Sequence, residues 1–158
     1  MKNYRKIINY LYLGDYQSKP AFCEFIVSAA SDFFAQKIPN LDDQSEQVYL
    51  SDDKKELYLN LLDYPEIGTL DKKVLKAGLN FIDEHLKVEE NVFVHCVWGV
   101  NRSASLVFIY LVINNHLSHD NFHSSWKQFK KNYSRANPNP AYWHYLNHEF
   151  PYNDLKNN

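Results

Sequence analysis

Short β-branched and aromatic runs separated by polar turns fill the first half of the chain, and apolar residues spaced three and four apart dominate the second. Tyr10-Leu11-Tyr12-Leu13 before Gly14, and Phe25-Ile26-Val27-Ser28-Ala29, predict the first two strands of a sheet. Gln47 to Leu50 and Leu57 to Leu62 flank the charged tip Ser51 to Glu56 and predict a hairpin, or two strands joined by a polar turn. The second of these runs straight into Asp63-Tyr64-Pro65. From Thr69, a candidate N-cap, the positions Leu70, Val74, Leu75, Leu79, Ile82 and Leu86 keep helical spacing towards Lys87. Val92-Phe93-Val94 predicts one more strand. After a loop from His95 to Asn101, the stretch Ser103 to Asn114 is apolar nearly all round, as a buried helix requires. Ser118 to Tyr133, with Phe122, Trp126, Phe129 and Tyr133 on one face, and Pro140 to Phe150, opened by Asn-Pro-Asn-Pro, predict two closing helices.

Strands and helices that alternate through the middle and end in helices predict one α/β domain over residues 1–158. The expected architecture is a central mixed sheet of about four to five strands flanked by helices, with the loop from His95 to Asn101 lying between a buried strand and a helix. The polar stretch Gln36 to Glu46 is short and sits inside the strand pattern, so it reads as a loop, not a linker. Residues 1–6 and 151–158 read as peripheral tails.

Composition narrows the function classes. The 158 residues are 45% hydrophobic and 23% charged, which suits one soluble core. Seventeen Lys and Arg against 19 Asp and Glu give a net charge of -2, so no global basic field is present to hold a stable nucleic-acid complex or an anionic membrane. No apolar run approaches the roughly 20 residues needed to span a bilayer; Ser105 to Ile113 is stopped by Asn114-Asn115-His116. Only Ile7 and Ile8 follow the basic start before Asn9, too few for a signal-peptide core. Cys23 and Cys96 make no disulfide scaffold and suit a reducing compartment, so the cytoplasm is the expected location; injection into a host cell would leave no mark in the sequence. The four glycines form neither Gly-x-Gly-x-x-Gly nor Gly-x-x-x-x-Gly-Lys, which excludes nucleotide-binding loops of those two kinds.

The chemistry concentrates in His95-Cys96-Val97-Trp98-Gly99-Val100-Asn101-Arg102-Ser103. This segment sets a cysteine at the end of a buried strand and an arginine at a helix start. The backbone from Val97 through Asn101 is long enough to curl so that successive N–H groups point at one centre, where the helix N-terminus adds partial positive charge. A tetrahedral dianion fits such a nest. Arg102 could grip two of its oxygens through a planar fork. The same field favours a thiolate at Cys96 and so a nucleophile at neutral pH.

His-Cys-x-x-Gly-x-x-Arg-Ser resembles the signature loop of the protein tyrosine phosphatase superfamily, and within it the dual-specificity branch. Leu11-Tyr12-Leu13-Gly14 resembles that branch's first-strand motif, Asp63 precedes Cys96 by the interval at which the family keeps its general acid, and Pro138-Asn139 with Tyr142 resembles the closing Pro-Asn-x-Gly-Phe segment. Two departures are local: Gly14 to Phe25 is short for the helix usual there, and Ala141 replaces the closing glycine. The resemblance implies a metal-independent, cofactor-free phosphatase, a monomer acting on phosphoproteins. Phosphotyrosine is the implied substrate, with phosphoserine and phosphothreonine as further targets. In that scheme Cys96 attacks phosphorus, Arg102 binds the equatorial oxygens, Asp63 protonates the leaving oxygen and then activates water, and Ser103 assists departure of the thiolate. Val97 through Arg102 bind the phosphate, and His95 and Asn139 support the loop.

Each assignment has a plainer rival. Cys96 could be a structural core cysteine and Arg102 a surface salt bridge. Asp63 could be a solvated turn residue, with Asp52, Asp53 and Asp71 as competitors; Asp71 suits the first turn of the next helix. Ser103 could be only a helix N-cap, and His95 could be a general base. His116, His119 and His123, like His144 and His148, fall at helical spacing and suggest a metal, but no cysteine cluster accompanies them. Lys127, Lys130, Lys131 and Arg135 form either a solvated basic face or a contact for an acidic substrate. Cys23 reads as a small core residue in preference to a redox partner of Cys96. Asn101-Arg102-Ser103 matches a glycosylation sequon that a sugar could fill only by blocking the pocket. Lysine is absent from the loop, as in peptide-directed members, while the Asn-Arg pair also resembles phosphatases of RNA 5′ ends; phosphoinositides are a further alternative substrate. A non-catalytic phosphoprotein-binding module is disfavoured because nucleophile, arginine and candidate acid are all retained.

Overall fold

The computed structural model describes residues 2–38 and 46–157. The strands are β1 (Tyr4–Ile8), β2 (Leu11–Asp15), β3 (Phe25–Ser28), β4 (Val48–Leu50), β5 (Glu56–Leu59) and β6 (Val92–Cys96). The helices are α1 (Ser31–Lys37), α2 (Lys72–Leu86), α3 (Arg102–Ile113), α4 (Phe122–Asn132) and α5 (Pro140–His148). The α/β class with a mixed sheet is as the sequence predicts, and the sheet has six strands in the order β1-β2-β6-β3-β5-β4.

β6 sits between β2 and β3, parallel to both, with Asp15 opposite Cys96 and Ser28 opposite His95. The carboxyl ends of β2, β3, β5 and β6 therefore gather at one edge. β6 enters between two strands that precede it in the chain, so a crevice opens beyond its carboxyl end, the usual ligand position in open α/β sheets. Strand alternation divides β6 between two faces. Val92 and Val94 join the main core with Leu11, Leu13, Leu57 and Leu59, covered by Val74, Leu75, Leu79 and Ile82 of α2 and by the wholly buried run Leu106 to Val112 of α3. Phe93 and His95 face the other way, where Phe33 of α1 packs edge-on against His95 at 5.5 Å.

Several boundaries differ from expectation. Tyr4, Arg5 and Lys6, expected in a peripheral tail, pair antiparallel with Gly14, Leu13 and Tyr12. At the other end, Tyr152 and Leu155, also expected in a tail, are buried, and the Tyr152 hydroxyl donates to Leu146 O at 2.8 Å. Helix α1 falls where the sequence predicts none; it buries Phe34 and lacks a side-chain cap, which leaves no amphipathic signal to read. Part of the Gln36 to Glu46 stretch, residues 39–45, lies outside the described residues. α2 is capped by Asp71, whose side chain accepts from Lys73 N at 2.8 Å, while Thr69 instead bonds back to Glu66 O. α4 begins at Phe122, not Ser118, because Asn121 caps it through Ser124 N. β5 ends at Leu59, so Asp63 stands in the loop beyond it instead of closing the strand. The short Gly14 to Phe25 connection holds a single 3-10 turn, Tyr16–Ser18.

Candidate active site

Cys96 ends β6 and is buried, and its Sγ lies 3.1 Å from the Ser103 hydroxyl. Ser103 sits inside α3 instead of capping it, because the cap position belongs to Asn101. Between them the chain makes a tight loop whose carbonyls are held from outside. Tyr16 N donates to Val97 O at 3.3 Å, Arg135 Nη2 to Trp98 O at 2.9 Å, the Tyr133 hydroxyl to Gly99 O at 2.6 Å, and Asn137 N to Val100 O at 2.8 Å. In a trans peptide the N–H points opposite its carbonyl. Turning these carbonyls towards the scaffold therefore turns the N–H groups of residues 98–101 inward, away from it. Such a run of convergent amides is an anion-binding nest, and the N-terminus of α3 adds to its field.

Gly99 makes the turn possible. Its φ is +71°, and a Cβ there would meet the carbonyl carbon and oxygen of Gly14 at 2.6 Å. Only glycine satisfies both the left-handed conformation and this approach to β2.

Arg102, 2% exposed, is anchored through Nη1, which donates to Asp32 Oδ1 at 2.7 Å and to Leu61 O at 3.0 Å. Its Nε stands 3.5 Å from Asp63 Oδ1, near enough for charge attraction but without hydrogen-bond geometry, so that buried donor has no hydrogen-bond partner. Asp63 is held by Asn101, whose Nδ2 donates to Oδ1 at 2.9 Å and to the Asp63 carbonyl at 3.2 Å. Asn139 Nδ2 donates to the same carbonyl, and Asn139 N donates to Asn101 Oδ1 at 3.0 Å. The Tyr142 hydroxyl fixes the preceding residue by donating to Leu62 O at 2.6 Å.

These groups border a cavity of about 400 Å³ lined by Asp63, Tyr64, Cys96, Trp98, Val100, Asn101, Arg102 and residues 137–140. Among the described residues lining it, Asp63 is the one carboxylate and Arg102 the one permanent cation. Asp52 and Asp53 lie at the tip between β4 and β5, and Asp71 caps α2. His95 projects from the sheet face opposite Cys96, and its Nδ1 lies 3.1 Å from Cys96 O, which can only accept, so Nδ1 carries the proton. Burial holds its pKa below the ordinary histidine value.

The remaining candidates lie elsewhere. Burial pushes the Cys23 thiol up to about 11, which suppresses thiolate chemistry there. Among the described residues no group of three or more His, Cys, Asp or Glu is arranged to hold a metal; His144 and His148 stack on each other at 3.9 Å. The basic patch is divided: Arg135 lies beyond α4 and serves the loop, and Lys130 Nζ donates to Ser134 O and Ala136 O. Asn101, 8% exposed and engaged with Asp63, is unavailable to a glycan. Sequence reasoning missed Asp32, Tyr16, Tyr133 and Asn137 as parts of this site. Only the resemblance carried Asn139, and nothing local marks the others.

The family model described as dual specificity phosphatase, catalytic domain, matches residues 25–150. The chain belongs to this family. The match assigns it to the dual-specificity phosphatases, protein phosphatases of the hydrolase class. It runs from β3 through α5, and β1 and β2 precede it. The chain is also similar to the dual specificity protein phosphatase YVH1 of Plasmodium falciparum, 33% identical over 92 residues, which cover 58% of this chain and 15% of that relative. Among solved structures, DUSP15 superposes with a TM-score of 0.72 at 23% identity, covering 99% of this chain and 92% of the other. The human tyrosine phosphatase-like serine/threonine/tyrosine-interacting protein follows with a TM-score of 0.68 at 21% identity, covering 92% and 94%. At these identities the structural likenesses establish the fold. No helix among the described residues is long and apolar enough to cross a membrane.

Proposed function

We propose that this dual-specificity phosphatase domain hydrolyses phosphomonoesters on proteins, phosphotyrosine foremost and phosphoserine or phosphothreonine in addition, through a cysteinyl-phosphate. The observation that carries the proposal is Arg102, whose buried Nε has no hydrogen-bond partner, lining one cavity with Cys96 and the inward-turned loop amides, a set of donors that one tetrahedral dianion would satisfy. In the first step the Cys96 thiolate attacks phosphorus, the S–P bond forms, the P–O bond to the leaving group breaks, and Asp63 gives that oxygen its proton. In the second, water attacks phosphorus and loses a proton to the Asp63 carboxylate while the S–P bond breaks and the sulfur departs as thiolate. A hydrogen bond from the Ser103 hydroxyl stabilises that departing charge. Arg102 and the amides stabilise the equatorial oxygens in both transition states.

The rim favours a protein substrate carrying a single phosphate. Arg102 is the one arginine or lysine lining the cavity among the described residues, whereas a polyphosphorylated inositol lipid or an RNA 5′-triphosphate would call for several. Tyr64 and Trp98 line the cavity and are 81% and 68% exposed, and Ile67 and Leu62 stand exposed in the Asp63 loop, an apolar surround suited to a polypeptide.

The test is hydrolysis of 4-nitrophenyl phosphate in reductant and chelator by the wild type and by Cys96→Ser, followed by a panel of phosphopeptides, phosphoinositides and 5′-phosphorylated RNA. Chelator-resistant turnover that is absent from Cys96→Ser and highest on phosphotyrosyl peptides is expected. Preference for RNA or lipid would overturn the substrate class, and turnover by Cys96→Ser would overturn the mechanism.

A further inference from the structure

We infer that Asp32 is the positioning residue for Arg102, selecting which edge of the guanidinium faces a bound phosphate; this rests on Arg102 being the phosphate ligand. A guanidinium has five N–H groups, one on Nε and two on each terminal nitrogen. Nη1 makes two hydrogen bonds, to Asp32 Oδ1 at 2.7 Å and to Leu61 O at 3.0 Å, which use both of its hydrogens. The edge left for a bidentate grip is therefore the one formed by Nε and Nη2, and Nε is the buried donor without a hydrogen-bond partner.

One acceptor on Nη1 would leave the guanidinium plane free to swing about a single hydrogen bond. Two acceptors in different directions fix it. The Leu61 carbonyl is itself shared, since Ser31 N donates to it at 2.9 Å, and Asp32 is the next residue in the same helix. The start of α1 is thus tied to the β5 exit and to Arg102 together. Phe33, the next residue, packs its ring against His95 at 5.5 Å and Tyr16 at 5.3 Å between centroids. Tyr16 N also donates to Val97 O, so contacts connect α1, the loop and the arginine. The hydrogen bond from Arg102 keeps the Asp32 carboxyl below the usual carboxylate range. The Asp32 side chain is 52% exposed, open to water and to small solutes.

Because reacting groups misplaced by an ångström cost on the order of 10²-fold in rate, Asp32→Ala is expected to lower kcat/KM for 4-nitrophenyl phosphate by about 10–10²-fold. It should also weaken competitive inhibition by inorganic phosphate while the thermal midpoint stays close to wild type. Asp32→Asn, which keeps an acceptor oxygen, should recover part of the loss, and added formate should raise the activity of Asp32→Ala but not of wild type. A merely structural aspartate would show neither recovery. Wild-type kcat/KM and phosphate inhibition in Asp32→Ala would overturn the inference, as would a loss that neither asparagine nor formate relieves. If Asp32→Ala fails to fold, Asp32→Leu, which fills the space but offers no acceptor to Nη1, takes its place: unchanged phosphate inhibition and kcat/KM in that variant would sink the inference. A wild type that neither turns over substrate nor binds phosphate would instead overturn the function on which the inference stands.

Discussion

Asn101 Nδ2 donates to Asp63 Oδ1 at 2.9 Å, so the residue immediately before Arg102 holds the carboxylate that borders the Cys96 cavity. The same amide bonds the Asp63 carbonyl, and Asn101 Oδ1 accepts from Asn139 N, which ties the Asp63 loop, the loop from Val97 to Asn101 and the entry to α5 into one network. Asn101→Ala removes these links at once. For a phosphatase that uses Asp63 as its acid, kcat should fall by about 10–10²-fold for alkyl or unactivated aryl phosphates and less for 4-nitrophenyl phosphate, whose leaving group needs little protonation. A leaving-group series compared between wild type and variant checks this. Equal losses across the series would mean that Asn101 acts on the phosphate loop instead of the acid.

Asp63→Asn tests the acid directly. It leaves a side-chain oxygen for Asn101 but no proton to give, so turnover of unactivated phosphates should drop by about 10²–10⁴-fold with binding of inorganic phosphate retained. Steady-state kinetics with phosphate as competitive inhibitor reads both quantities. Unchanged turnover would remove Asp63 from the mechanism.

What the sequence made legible follows from how local each signal is. Cys96, Arg102 and Ser103 fall within eight consecutive residues, and the strand before the loop and the buried helix after it have plain hydrophobic patterns, so the candidate residues and their strand-loop-helix setting were legible together. The anchor on Arg102 could not, because Asp32 stands 70 residues away on a helix with one buried side chain and no cap. β1 was hidden for a related reason: Arg5 and Lys6 are exposed on an edge strand, and pairing with β2 supplies what the pattern lacks. Tyr133, Arg135 and Asn137 read as helix face or basic surface, and only the folded chain brings them to the loop carbonyls.

Gly99→Ala should disable the loop more than the fold. The new methyl would stand 2.6 Å from Gly14 backbone atoms at a φ of +71°, and the loop must shift to relieve it. Backbone strain of this kind costs about 1–3 kcal/mol, so a fall of several degrees in thermal midpoint is expected, together with a loss of at least about 10²-fold in kcat/KM. Calorimetry and turnover on one preparation separate the two effects.

Alkylation should distinguish the cysteines. Burial pushes Cys23 up to about 11, leaving little thiolate at neutral pH, whereas Cys96 lines the open cavity. Iodoacetamide on the folded protein should add one group, at Cys96, and a second only after unfolding. Protection of Cys96 by inorganic phosphate, read by peptide mass, would tie that adduct to the anion site, and early labelling of Cys23 would contradict its burial.

His95, next to Cys96, should set part of the acid limit of stability. Burial lowers the His95 pKa in the folded chain, against an ordinary value near 6.5 in the unfolded one. The unfolded state therefore binds the proton more readily, and stability rises with pH across the interval between the two values. The contribution of neutral His95 is complete above the unfolded value, declines as pH falls below it, and is fully lost beneath the folded pKa. His95→Asn keeps a side-chain donor for Cys96 O but cannot be charged, so its denaturation midpoint should vary less between pH 7 and pH 5 than that of wild type. Urea unfolding at several pH values provides the comparison, and identical slopes for the two proteins would show that other groups govern the acid limb.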